Sequence, residues 1–190
     1  MGSIASGLDL SGSPGRCSGY SEIDVDMRAI VRVGCLYRDE EILSVIVGRV
    51  SIVAIDAPIT PEPRVRELDR IAIRMGISVL PPSLGGMRIL TQRAWRLYEG
   101  LSSMGVRVIE THPRSALKNS GFKDPVDLIR WLGIKPPPEI PKGRFARDIM
   151  DAIVASLVAY CHLEGGCVEE IRASDGVLYL ISRRSPSDPI

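Results

Sequence analysis

The segment Ser51-Ile52-Val53-Ala54-Ile55-Asp56 restricts the folds open to this chain more than any other. It is a continuous apolar run closed by an acid and then by Ala57-Pro58. A strand with one wet face alternates apolar and polar residues. A run without that alternation reads as a central strand covered on both faces. Covering it needs helices on each side, and segments 40–50, 64–75, 88–104, 124–132 and 145–163 offer apolar residues at helical spacing. Further strands are expected over 4–10, 19–25, 27–37 and 106–110, the first three as an antiparallel meander. Residues 77–87, with Pro81, Pro82, Gly85 and Gly86, read as a loop, and Pro136-Pro137-Pro138 with Pro141 as a stiff linker. Segments 168–172 and 177–182 flank Ser174-Asp175-Gly176 and read as a terminal hairpin. Strands first, then strands alternating with helices, give an α/β fold with a mixed sheet. The expected organisation is one domain over 1–190, with a core over about 4–165 and a hairpin over 168–183.

The formal net charge of +1 supplies no global attraction to nucleic acid, so any such binding needs a local basic patch. Of the 24 basic residues only Lys118, Lys123, Lys135 and Lys142 are lysines, and arginine suits bidentate phosphate contacts and buried ion pairs. Gln92 and Asn119 are the only side-chain amides, a scarcity that hints at a thermophilic source. No long uncharged apolar run and no basic-then-apolar leader is present, so neither a membrane span nor a signal peptide is expected, and the cytoplasm is the default location. Cys17, Cys35, Cys161 and Cys167 contain no CxxC pair. Buried free thiols are expected, with a Cys161–Cys167 disulfide as the alternative in a hyperthermophile.

The chemistry is concentrated in acids at strand ends. Asp9, Asp56 and Glu110 each close a strand, and in an open α/β sheet the functional crevice lies beyond the carboxyl ends of the strands. Asp148 and Asp151, spaced i and i+3, share a face in the first turns of the long last helix, near its positive end. Converging carboxylates repel one another unless some are protonated or a cation lies between them. Hard oxygen donors of this kind suit Mg²⁺ or Mn²⁺, and two such ions about 4 Å apart can stabilise both oxygens of a phosphoryl displacement. Singly, each acid reads equally as a turn former, a helix cap or a partner for a nearby arginine.

Gly7-Leu8-Asp9-Leu10-Ser11-Gly12-Ser13 resembles the first-strand motif of the RNase H-like superfamily, and Asp148-Ile149-Met150-Asp151-Ala152 with the alanines that follow resembles the final helix of RuvC-type resolvases. Val53-Ala54-Ile55-Asp56-Ala57-Pro58, Arg66-Glu67-Leu68-Asp69-Arg70, Pro81-Pro82 with Met87-Arg88-Ile89-Leu90-Thr91, and Ile109-Glu110-Thr111-His112-Pro113-Arg114 look like a family described as predicted nucleases with that fold. The resemblance implies an RNase H-like five-stranded mixed sheet, three antiparallel strands then two parallel, with helices on both faces and the C-terminal hairpin added. It also implies a metal-dependent nuclease. Asp9 would be the central metal ligand, Asp56 the strand-four ligand and Asp151 the helix ligand with Asp148 as helper. Glu110 would orient substrate or support the ligands. RuvC-type enzymes usually carry Glu where this chain has the shorter Asp56, which bears on metal spacing rather than on the fold.

Arg66, Asp69 and Arg70 form a candidate phosphate-binding set, with a surface ion pair as the plain alternative. His112 can relay a proton or cap the turn at Pro113–Arg114, and Arg114 is a candidate substrate contact. Trp95 and Trp131 have apolar neighbours and read as core. Three functions remain open: a nuclease acting on DNA or RNA, a nucleotide-binding or phosphotransfer module, and a binding domain that keeps the fold without catalysis.

Overall fold

Strand β4 (Ile52–Ile55) is buried at all four positions. Its residues divide between two cores, Ile52 and Ala54 on one side and Val53 and Ile55 on the other. The apolar run is therefore a central strand with helices on both faces. The computed structural model describes residues 3–182.

The chain opens with β1 (Ile4–Asp9), β2 (Ser18–Asp24) and β3 (Ala29–Leu36), followed by α1 (Asp39–Ile46), β4 and α2 (Glu67–Arg74). Next come α3 (Gly85–Ser103), β5 (Arg107–Thr111), α4 (Pro113–Ser120), α5 (Pro125–Trp131), α6 (Ala146–Glu164), β6 (Val168–Ala173) and β7 (Gly176–Ile181). All seven strands form one mixed sheet in the order β3-β2-β1-β4-β5-β7-β6. β1 runs antiparallel to β2 and parallel to β4, and β4 runs parallel to β5.

The sheet thus has seven strands rather than the expected five, because the terminal hairpin is not an appendage. β7 pairs parallel with β5, joining Glu110 to Leu178 and Thr111 to Tyr179, and the Thr111 hydroxyl donates to the Tyr179 carbonyl at 2.8 Å. Without β7, β5 would be an edge of unpaired N–H and C=O groups. Residue 183, assigned to the hairpin from sequence, lies outside the described residues. The hairpin tip also caps a helix: Asp175 Oδ2 accepts from the Glu67 N–H at 2.7 Å and Oδ1 from the Leu68 N–H at 3.1 Å, at the start of α2. Asp175→Ala is expected to cost about 1 kcal/mol, as loss of a helix cap does. A urea titration against the parent chain measures it.

Two other expectations are corrected. Pro113 and Arg114 open α4 (Pro113–Ser120) rather than forming a turn. Pro113 supplies the fixed φ of a first helical position, and Gly121 ends the helix at φ 87°. The cysteines are not free thiols: Cys17 pairs with Cys35 and Cys161 with Cys167, leaving none free. Among the described residues, no helix is long and apolar enough to cross a membrane.

Helix α6 lies directly on the sheet, and two glycines allow it. A Cβ on Gly7 would stand 2.1 Å from the Ala152 carbonyl oxygen and 2.2 Å from the Ser156 nitrogen. On Gly19 it would stand 2.0 Å from the Asp148 carbonyl oxygen. Main chain therefore meets main chain, and a hydroxyl contact of 3.0 Å between Ser21 and Ser156 adds a polar tie. Gly19 is the cross-strand partner of Asp9, so the same contact brings the first turns of α6 beside the end of β1.

Candidate active site

Asp9 ends β1, and the Asp56 N–H donates to the Leu8 carbonyl at 2.9 Å, which extends the parallel ladder by one residue. The two acids thus emerge from adjacent strands at the carboxyl edge of the sheet. Asp148 and Asp151 descend from α6. All four line one cavity of about 580 Å³, together with Arg114, His112, Glu110, Arg66, Asp69 and Arg147. An apolar wall completes it, including Leu10, Val79, Leu80, Met87 and Leu90.

The acids feel one another. Burial, then Asp151, then Asp148 push the Asp9 carboxyl up from 3.8 to about 7, against a smaller pull from Arg114. Asp56 is held well above the ordinary range by burial first, then by Asp9 and Asp151. Asp151 is raised by burial and by Asp148, with Arg114 opposing. Arg114 is the cation common to these three effects. It is exposed on the first turn of α4 and forms no ion pair among the described residues.

Glu110 belongs to a separate arrangement. Arg66 bridges it to Asp69 through Nη1 to Glu110 Oε2 at 2.7 Å, Nη2 to Glu110 Oε1 at 2.6 Å and Nη2 to Asp69 Oδ1 at 2.8 Å. The Ile59 and Arg66 N–H groups donate to Glu110 Oε2 at 2.7 Å and to Asp69 Oδ2 at 2.8 Å. The three side chains are 8 %, 3 % and 2 % exposed for Glu110, Arg66 and Asp69, so this is a buried, hydrogen-bonded ion triad. Burial alone would ease the Arg66 guanidinium toward neutrality; Glu110 and then Asp69 outweigh it and hold the charge. Burial raises Glu110 against the opposing pull of Arg66 and the Ile59 amide, while the guanidinium keeps its proton. The triad's hydrogen-bonding capacity is largely spent internally. It stiffens the cavity wall between α2 and β5. Arg70 is exposed and does not line the cavity.

His112 occupies the N-cap position of α4 without a side-chain capping bond, its Nδ1 2.7 Å from the Ser115 hydroxyl. Burial and then Arg114 lower its pKa, which favours the neutral ring. Neutral, it has one ring N–H to donate and one nitrogen to accept.

Of the acids read from sequence, Asp9, Asp56, Asp148 and Asp151 share one open space, whereas Glu110 is tied to Arg66. Arg147, Val79 and Leu80 were not singled out from sequence, and Leu10, Met87 and Leu90 entered only as parts of motifs. Arg147 adjoins Asp148 in the first turn of α6, which was a usable signal; residues 78–80 belong to a loop whose fold placement no periodicity reveals.

In donor chemistry the four aspartates suit a hard dication: all-oxygen ligands whose mutual repulsion a positive charge would relieve. Among the described residues, no three His, Cys, Asp or Glu side chains stand close enough to hold an ion together. The acids therefore face a common space without forming a closed ligand shell. Comparison with protein-family models, with characterised proteins and with solved structures gives no match.

Proposed function

We propose that this protein is a divalent-metal-dependent nuclease built on an RNase H-like domain, hydrolysing phosphodiester bonds of DNA or RNA. The observation that carries this reading is the convergence of Asp9, Asp56, Asp148 and Asp151, from β1, β4 and α6, on one cavity. The fold assignment draws on β3-β2-β1-β4-β5, three antiparallel strands followed by two parallel ones, as the sequence resemblance implies. Asp9, Asp56 and Asp151, which do not stand close enough together to enclose an ion, would have to draw in around Mg²⁺ or Mn²⁺ on binding, with Asp148 assisting. When bound, the cation supplies an acidified water and charge stabilisation on the phosphoryl oxygens. Arg114 and Arg147 neutralise a phosphate entering between these acids. His112 lines the same cavity, and its neutral ring, favoured by burial, is available to accept or return a proton. The Arg66 triad keeps Glu110 out of the ligand set and fixes the wall against which substrate rests. The location that goes with this reading is the cytoplasm, with the two disulfides then fitting a hyperthermophilic source.

Two readouts test the proposal together. Mn²⁺ at 100 times its dissociation constant should stabilise the fold by about 2.7 kcal/mol, a rise in melting temperature of about 5–10 °C for a domain of this size. Labelled single-stranded and duplex DNA and RNA should be cut with Mn²⁺ or Mg²⁺ and spared in EDTA. Neither a thermal shift nor cleavage of any substrate would discard the proposal.

A further inference from the structure

A second cavity of about 580 Å³ adjoins the first, and the two share Asp9, Leu10 and Asp148. Side by side at these residues, the two outline a candidate groove past the carboxylates. The second cavity is different in kind. It is lined by the Ser11–Cys17 segment after β1 and by Tyr37, Arg144 and Phe145. Arg16 and Arg144 are exposed, and neither forms an ion pair among the described residues. The Arg144 guanidinium stands over the Phe145 ring at 5.3 Å from its centroid, and Tyr37 is 37 % exposed. A disulfide ties Cys17 to Cys35, and buried Arg93 grips the Ser11 and Tyr37 carbonyls at 2.6 and 2.8 Å. The walls of this second cavity are thus anchored at three points.

We propose that this groove binds single-stranded nucleic acid, with the second cavity as a subsite for the phosphate and base flanking the scissile bond. The proposal rests on the nuclease reading for the meaning of the carboxylates, but the binding it describes is separable from cleavage. Charge and shape both point to a single strand. Asp9 and Asp56 are recessed between an apolar wall and α6, so a phosphodiester reaches them only by entering a walled cleft. The apolar wall of Val79, Leu80, Met87 and Leu90 suits the face of an unpaired base, whereas a paired base presents only its edge. Beyond Asp148 the strand would meet Arg16 and Arg144 for phosphate and Tyr37 for stacking, the combination by which single strands are held without sequence preference. Four arginines without an ion pair among the described residues (Arg16, Arg114, Arg144 and Arg147) are few for a duplex, which offers phosphates on two strands, yet they suffice for a short single-stranded track.

The test measures binding by fluorescence anisotropy in EDTA, using a labelled 12-nucleotide strand as DNA and as RNA, and the same sequence as a blunt duplex. The full chain should bind single strands at least about tenfold more tightly than the duplex, and the DNA and RNA arms identify which polymer it takes. The double variant R16A/R144A, at exposed positions with no ion pair to lose, should keep its melting temperature. It should weaken single-strand binding at least about fivefold and flatten the plot of log affinity against log salt by about 1.4, at about 0.7 per phosphate released. Equal or tighter duplex binding, or unchanged affinity and salt slope in the variant, would overturn the groove. Metal-dependent cleavage surviving that result would leave the nuclease reading standing. Single-strand binding with the predicted variant effects, but no cleavage under any metal, would support the groove and remove the nuclease.

Discussion

Gly7→Ala is expected to remove at least about 4 kcal/mol of stability, enough to leave a domain of ordinary stability largely unfolded. The added methyl would sit 2.1 Å from a backbone oxygen and 2.2 Å from a backbone nitrogen of α6. A flexible side chain could swing aside; a helix main chain cannot move without the whole of α6 lifting. Ordinary overpacking costs about 1–3 kcal/mol because neighbours adjust, and here the neighbour is the most buried helix of the protein. Gly34→Ala is the control. It lies on β3 with nothing within 4 Å of its added methyl, and it should be neutral or slightly stabilising. Chemical denaturation of both variants decides the matter. Equal effects at the two positions would mean that α6 does not rest on bare backbone.

On the proposed nuclease reading, Asp9→Asn should reduce cleavage at least about 10³-fold, since losing a proposed metal ligand would forfeit several kcal/mol of transition-state stabilisation. The same substitution should make the metal-free fold more stable. Asp9 titrates near 7 in the folded chain against 3.8 ordinarily. A carboxyl with a raised folded-state pKa favours the fold while protonated. Its contribution is complete below about pH 4 and is lost as the pH rises through about 7. In EDTA the parent chain should therefore fall behind Asp9→Asn progressively between pH 4 and 8. The gap at pH 8 should reach about 1–3 kcal/mol, allowing for solvent screening of a partly exposed group. Mn²⁺ should close that gap by stabilising the parent chain alone. Melting curves across pH, with and without metal, give all of these values. A variant less stable than its parent at pH 8 in EDTA would contradict the strained-acid account.

Several elements were legible because local pattern and tertiary role coincide. The unbroken apolarity of residues 52–55 announces a strand covered on both faces. The alanines of α6 announce a helix that packs closely, and an acid at the end of β1 or β4 is easily noticed. Other features were hidden because their cause is remote in sequence. Nothing near Val177 indicates that β7 will cover the edge of β5, since that pairing is fixed by where α6 delivers the chain. Pro113-Arg114 is as good a turn as a helix start until Gly121 is seen to end eight helical residues. Arg66, Asp69 and Arg70 looked like a phosphate-binding set, and Glu110 like a site acid, because spacing shows which charges are present, not that Arg66 joins Asp69 to Glu110. The pairing of Cys17 with Cys35 depends on the β2–β3 register, which a list of cysteine spacings does not contain.

The passage of α6 across Gly7 and Gly19 also has a consequence in time. Asp9 and Asp56 are synthesised well before Asp148 and Asp151, and the cap that Asp175 places on α2 comes later still. A nascent chain holds two of the four acids on strands whose α6 side is still bare, with the groove open along its length. The carboxylates are gathered only when the long helix has emerged and settled onto the glycines. The cavity shared by the four acids is therefore assembled only after α6 has been synthesised and has packed onto Gly7 and Gly19.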